Sequence, residues 1–201
     1  MTRTGWTMLA IIVAVAVAFA SMVRVGGPLP MGRPVRGQSW VRPIPAVGPA
    51  SAPAGLLAVP VPGVDRGTIR DSWGEARDGG ARAHHGTDIM APGGSPVVAA
   101  APGTIEKLFQ SAQGGVTLYE RSTDRRWLYY YAHLAGYAPG VHEGQAVRPG
   151  DPLGFVGDTG DAGPGNYHLH FGLSRVAPDD HWWQGEDVDP FPLLAGRPAP
   201  R

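Results

Sequence analysis

The sequence predicts a mostly β protein, an antiparallel sheet of the barrel-sandwich kind with few helices, preceded by one N-terminal apolar helix and a Pro-rich linker. Three observations predict it. Short runs of β-branched, aromatic and aliphatic residues recur at close intervals, Gly or Pro turn signals separate them, and no long amphipathic helical period occurs after residue 24. With 30 Gly and 21 Pro among 201 residues, the chain is too rich in helix breakers for a helical bundle.

Residues 1–25 are a different material from the rest. Arg3 precedes an apolar stretch from Trp6 to Val23, broken only by Thr7 and Ser21, with Arg24 just beyond it. A basic start and an apolar run describe an export signal, with Ala18-Phe19-Ala20 as small residues for cleavage. The run is also long enough for a tilted membrane anchor, and both readings stay open. A buried core helix fits less well, because no polar face exists to meet solvent. Either favoured reading exports the rest of the chain, to the periplasm or the cell-wall space.

Residues 26–55 are Pro, Gly, Ala and Arg with scattered apolar residues. Seven prolines from Pro28 to Pro53 forbid a helix and remove ladder donors. Such a tether has polyproline character and reaches up to roughly 90 Å when fully extended. The folded domain is expected over 56–194, with a short tail at 195–201. Its β-type runs are Val97–Ala99, Thr104-Ile105, Val116–Tyr119, Trp127–Tyr131, Leu153–Val156 and His168–Phe171. Between them lie Pro92-Gly93-Gly94, Pro102-Gly103, Gly114-Gly115, Pro139-Gly140, Pro149-Gly150-Asp151 and the stretch from Asp158 to Gly165.

Composition narrows the chemistry. A formal charge of zero gives no basic excess for nucleic acid. The absence of cysteine removes disulfides, thiolate zinc sites and cysteine nucleophiles together. Any metal must be held by histidine and carboxylate.

Two segments offer those groups. In His84-His85-Gly86-Thr87-Asp88, an extended backbone points His84, Gly86 and Asp88 to one face, and Gly86 leaves a gap in which an ion fits. A helix also aligns His84 with Asp88, but Gly86, Thr87 and Pro92 disfavour it. In His168-Leu169-His170-Phe171, a strand turns both imidazoles to one face and Leu169 and Phe171 to the packed one. Two histidines on a buried face need partners. A His, Asp, His set leaves one open position on a tetrahedral zinc, the catalytic pattern, whereas Mg and Ca prefer oxygen ligands. Tyr131-Ala132-His133 ends an aromatic run, where a lone histidine is more often structural than catalytic.

These segments resemble the lysostaphin/LytM-type peptidoglycan endopeptidases, whose pattern is His-x-Gly-x-Asp, then Tyr-x-His, then His-Leu-His-Phe. The likeness covers roughly residues 56–194, including Ala91–Val97, Gly144–Asp151 and Gly157-Asp158-Thr159-Gly160. It implies that His84, Asp88 and His170 bind Zn2+. It also makes His133 and His168 the catalytic pair beside the metal-bound water, their individual roles left open, in a zinc metalloendopeptidase that hydrolyses peptide bonds of peptidoglycan. His142 and His181 are expected in loops, and His85 at the surface or behind the site. Arg77 and Arg82 flank the first motif, either as ligands for a substrate carboxylate or as solvated loop residues. The chain departs from the pattern at Gly165-Asn166-Tyr167, where a Gly-Pro or Pro-Pro step is common, and its loop from Asp161 to Tyr167 is long.

The rival readings are weaker. A non-catalytic wall-binding or amidase-activating module on the same fold would not need the full ligand set. A lipoyl-type carrier needs a lysine at a hairpin tip, and Lys107, the only lysine, lies in a strand-like run.

Overall fold

The computed structural model describes residues 56–196. The N-terminal apolar segment and the linker lie outside the described residues, and among those described no helix is long and apolar enough to cross a membrane.

Eleven strands run in order: β1 (Ala76–Arg77), β2 (Arg82–Ala83), β3 (Thr87–Met90), β4 (Pro96–Val98), β5 (Gly103–Ser111), β6 (Gly115–Ser122), β7 (Trp127–Tyr137), β8 (Ala146–Val147), β9 (Pro152–Val156), β10 (His168–Arg175) and β11 (Glu186–Asp187). A single helical turn, α1 (Phe191–Leu194), closes the described chain. β1 and β2 form a small ribbon, and the other nine strands form one antiparallel sheet. Its main path is β11-β10-β7-β6-β5-β8, with β3 added to β10, and β9 linking β7 to β4. All six expected β runs fall on strands, with Ala99 alone beyond the end of its strand, as the mostly β reading requires.

Alternation along the strands builds the core. Leu169, Phe171 and Leu173 of β10 point inward beside Leu118 of β6 and Tyr129, Tyr131 and Leu134 of β7, all at most 2% exposed. The opposite face of β10 carries His168 and His170. Each buried Leu or Phe contributes about 1.5–3 kcal/mol, so the histidine face is held in place by the packing behind it. Both ends of the described segment join the same core. Leu57, Val61, Leu193 and Leu194 are buried, and the Arg66 guanidinium donates to the carbonyls of Leu57 and Leu194.

Among the described residues, one acid lies inside. Glu120 accepts a hydrogen bond from the Tyr131 hydroxyl (2.7 Å), which itself accepts from the Ala100 N–H (2.9 Å). Burial pushes the Glu120 carboxyl up to about 8. It is therefore protonated at neutral pH.

Candidate metal centre

β10 lies between β7 and β3, and the registers decide what meets. His170 stands opposite Asp88 on one side and Ala132 on the other. Direct cross-strand neighbours on one face have Cβ atoms about 5 Å apart, so strand pairing alone brings the Asp88 carboxylate to the His170 ring. His84 arrives differently from the expected alternation. Strand β3 starts only at Thr87, and His84 sits in the connection after β2, tied by its N–H to the Glu75 carbonyl (2.8 Å). The gap expected at Gly86 is also filled otherwise. A Cβ there would stand 2.6 Å from Cε1 and Nε2 of His170, so the glycine admits an imidazole rather than an ion.

Three ligand atoms converge. His84 Nε2 is 3.0 Å from Asp88 Oδ1 and 2.8 Å from His170 Nδ1, and His170 Nδ1 is 3.2 Å from Asp88 Oδ1. Hydrogen bonds outside the trio orient it. His84 Nδ1–H donates to the Ser72 carbonyl (2.7 Å), which turns the Nε2 lone pair inward. Asp88 Oδ2 takes Arg77 Nη2 at 2.5 Å, leaving Oδ1 for the trio. Burial works to raise the Asp88 carboxyl, but the adjoining His170 and His84 rings outweigh it and hold the group well below the usual carboxylate range. Burial lowers His170, which favours the neutral ring. A carboxylate and inward-facing imidazole nitrogens, supported from behind, are the donor set of a three-ligand zinc site.

His168 and His133 flank the trio. His168 Nδ1–H donates to the Asn166 carbonyl (2.8 Å), and its Nε2 lies 3.8 Å from Asp88 Oδ1. His133 reaches the same face through an irregularity. Strict alternation along β7 would send position 133 to the core beside Tyr131. A β-bulge intervenes: Leu134 pairs with Val116 and Tyr131 with Leu118, so three steps on β7 oppose two on β6. His133 takes the extra position with φ +60°, its N–H bonded to the Gly114 carbonyl (2.8 Å), and Leu134 returns to the core. Its Nδ1–H donates to the Thr159 carbonyl (2.8 Å). Burial lowers its pKa, so it too favours the neutral ring. The His133 and His168 rings stand 4.8 Å apart, each with Nε2 left toward the cleft.

The Gly157-Asp158-Thr159-Gly160 segment has a part in this. Gly160 passes so close to Gln113 that a Cβ would meet its carbonyl oxygen at 2.1 Å, and that approach delivers the Thr159 carbonyl to His133. The cleft holds about 320 Å³ and is walled further by Arg77, Arg82, Gln113, Tyr130 and Asp161. Sequence reasoning missed Tyr130 and Asp161. Tyr130 sets its ring edge-on to His170 at 5.7 Å, and its position between two core-facing tyrosines was the available signal. Asp161 sits in a loop with no such pattern. His85 is exposed against Asp187 (2.9 Å) and Trp73, while His142 and His181 lie exposed in loops.

Known proteins resemble this chain. The chain is 36% identical over 146 residues to the L-Ala–D-Glu endopeptidase of Bacillus subtilis, covering 70% of this chain and 43% of that protein. It is 36% identical over 91 residues to the peptidoglycan DD-endopeptidase ShyC of Vibrio cholerae, covering 45% of this chain and 20% of that one. The chain thus spans less than half the length of these relatives. Among solved structures, the catalytic domain of lysostaphin from Staphylococcus simulans superposes with a TM-score of 0.51 at 28% identity, covering 61% of this chain and 88% of that one. LytM of Ruminococcus gnavus gives 0.55 at 31% identity, covering 70% and 60%. Residues 82–190 match Peptidase family M23 from the first histidine segment to beyond the last, and the chain belongs to that family.

Proposed function

We propose that this protein is a zinc metalloendopeptidase that hydrolyses peptide bonds in bacterial peptidoglycan. The observation that carries the reading is the single cleft into which three ligand atoms and two further imidazole Nε2 atoms converge. His84 Nε2, Asp88 Oδ1 and His170 Nδ1 would hold a zinc ion. When bound, zinc supplies Lewis-acid chemistry at the scissile carbonyl and acidifies water. The Nε2 atoms of His133 and His168 divide the remaining work. One accepts the proton of the attacking water and returns it to the leaving amine, and the other, in its doubly protonated form, donates from Nε2 to the developing oxyanion. Their Nδ1–H bonds to backbone carbonyls hold both rings ready for these roles.

The two relatives are named for different bonds. What they share is a peptidase, so the proposed class is a peptide bond of the wall polymer rather than one linkage. Export belongs to the same reading: residues 1–25 carry the chain across or into the membrane, and residues 26–55 tether the domain within reach of the wall. A reporter fused after Gly55 should be active outside the cytoplasm, and activity inside would contradict export.

The enzymatic test is direct. The purified protein should carry about one zinc, release peptides with new amino termini from peptidoglycan, and stop when a chelator strips the metal. A folded, zinc-loaded chain that releases no peptide would overturn the proposal.

A further inference from the structure

We infer that Phe109, Trp182 and Trp183 form an aromatic platform that binds sugar rings of the wall polymer's glycan strand while its peptide lies in the metal cleft. The inference rests on the peptidase reading above and deepens it: the preferred substrate is peptide still attached to glycan.

Strand register builds the platform outward from the cleft. Tyr130, which lines the cleft, stands opposite Tyr119 of β6, and Tyr119 stands opposite Lys107 of β5. Phe109 is two positions beyond Lys107 and so shares its face. The Tyr130 and Tyr119 ring centres are 4.6 Å apart. Trp182 rests across both strands, its ring 4.9 Å from that of Tyr119 and 5.0 Å from that of Phe109. Trp183 meets Trp182 edge-on at 5.3 Å. One aromatic row thus runs from the metal face of the sheet to the connection between β10 and β11.

The outer rings are exposed and yet held. Trp183 is 62% exposed and Phe109 38%. Trp182 and Trp183 are the central residues of a turn closed by the Gln184 N–H on the His181 carbonyl (3.0 Å), and the His181 N–H bonds Gln184 Oε1 (2.8 Å). The chain leading into this turn is fixed from the sheet. The buried Arg121 donates to the Asp180 carbonyl (3.0 Å), and Arg125 donates to the Pro178 carbonyl (3.0 Å). His181 lies flat on Trp183, at 4.3 Å and 6°, and backs one face of the indole. The opposite face is left for a ligand. Scattered exposed apolar residues are ordinary, but contiguous exposed rings on a fixed turn mark a contact surface.

Chemistry selects the occupant. The C–H groups on one side of a pyranose ring make a flat apolar face that packs against an aromatic ring. Between Val176 and Pro190 the charged residues are Asp179, Asp180, Glu186, Asp187 and Asp189, with no lysine or arginine. The neighbouring cations are already engaged, Lys107 with Glu143 (2.8 Å) and Arg121 with Glu106 (2.7 Å). An anionic bilayer attracts basic segments, which this is not. A neutral glycan meets no such objection, and in peptidoglycan it is joined to the peptides proposed as substrate.

The test reads binding apart from cleavage, with the full zinc-loaded protein. The binding probe is glycan strand freed of its peptides, followed by calorimetry. The cleavage probes are one wall peptide, either free or attached to a glycan fragment. Trp183→Ala should weaken glycan binding about three- to tenfold, and Trp183→Phe should recover part of it. The wild-type protein should favour the glycan-linked peptide by about three- to tenfold in kcat/KM, carried by KM, and the ratio should fall close to one in Trp183→Ala. Phe109→Ala, on a separate strand, should weaken the same binding and decides the matter if the turn rearranges in the Trp183 variant. Melting temperature and zinc content separate lost recognition from lost folding. No glycan binding by the wild type, or binding unchanged in both alanine variants, overturns the inference and leaves the peptidase reading standing. Weakened binding of those variants to phosphatidylglycerol vesicles, with glycan binding intact, does the same and assigns the platform to a membrane. Platform-dependent glycan binding without any cleavage overturns the peptidase reading and leaves the platform.

Discussion

His133 holds a left-handed backbone conformation at φ +60°, which L-residues enter at a cost of about 1–2 kcal/mol. The cost is offset by what it delivers, an imidazole on the catalytic face and Leu134 back in the core. His133→Gly and His133→Ala should both lower turnover by about 10²–10⁴, but the glycine variant should be the more stable by about 1 kcal/mol, because it enters that conformation freely. Melting curves of the two check this. Gly86 gives a second residue-scale test. A methyl group there would press on Cε1 and Nε2 of His170 from 2.6 Å. Gly86→Ala should weaken zinc binding about 10- to 100-fold by competition titration, though it alters no ligand. His84, Asp88, His168 and His170 were legible as candidate ligands from their two motifs, whereas His133 entered only through the family resemblance. The nitrogen each histidine presents was not legible, since it depends on carbonyls of Ser72, Thr159 and Asn166 that no local pattern announces. The bulge was equally hidden. Tyr131-Ala132-His133 reads as plain alternation until β6 supplies the register.

Among the elements, β10 joins the core to the chemistry. Its Leu169 and Phe171 are fully buried and alternate with His168 and His170, which face the cleft. Leu169→Ala should cost about 2–5 kcal/mol in denaturant unfolding. It should weaken zinc binding as well, because the strand positions both His168 and His170. Unaltered stability in that variant would mean β10 is not anchored as described. The six apolar runs foretold their strands, but β5 extends to Ser111 through the polar Glu106-Lys107 and Gln110. Pairing with β6 over nearly its whole length carries it on, a tertiary effect that propensity does not contain. The two-residue strands β1, β2, β8 and β11 have no apolar run to betray them and exist only as partners of other segments.

For the molecule as a whole, the buried Glu120 makes stability depend on pH. Its carboxyl titrates at about 8 in the folded protein against 4.5 for the ordinary group. Between these values the folded state keeps a proton that the unfolded state has released, so stability falls as pH rises from about 4.5 to 8. Glu120→Gln keeps the acceptor for the Tyr131 hydroxyl and removes the titration. The variant should therefore lose less stability than the wild type between pH 5 and pH 8, the difference growing with pH, as read from melting of the zinc-loaded proteins in that interval. A parallel decline in both would place the titrating group elsewhere. The sheet and its histidine face could be anticipated from short runs and motifs. Glu120 could not, because nothing in Tyr119-Glu120-Arg121 distinguishes an acid that faces the core from one that faces water.

The division of labour along β10 is the centre of the account, and zinc content measured together with cleavage rate tests it most directly. His170→Ala should lose the metal and the activity together, since three protein ligands leave no redundancy. His168→Ala should keep about one zinc and fold normally while turnover falls by about 10²–10⁴. Equal zinc loss in the two variants, or full zinc retention in His170→Ala, would contradict the assignment.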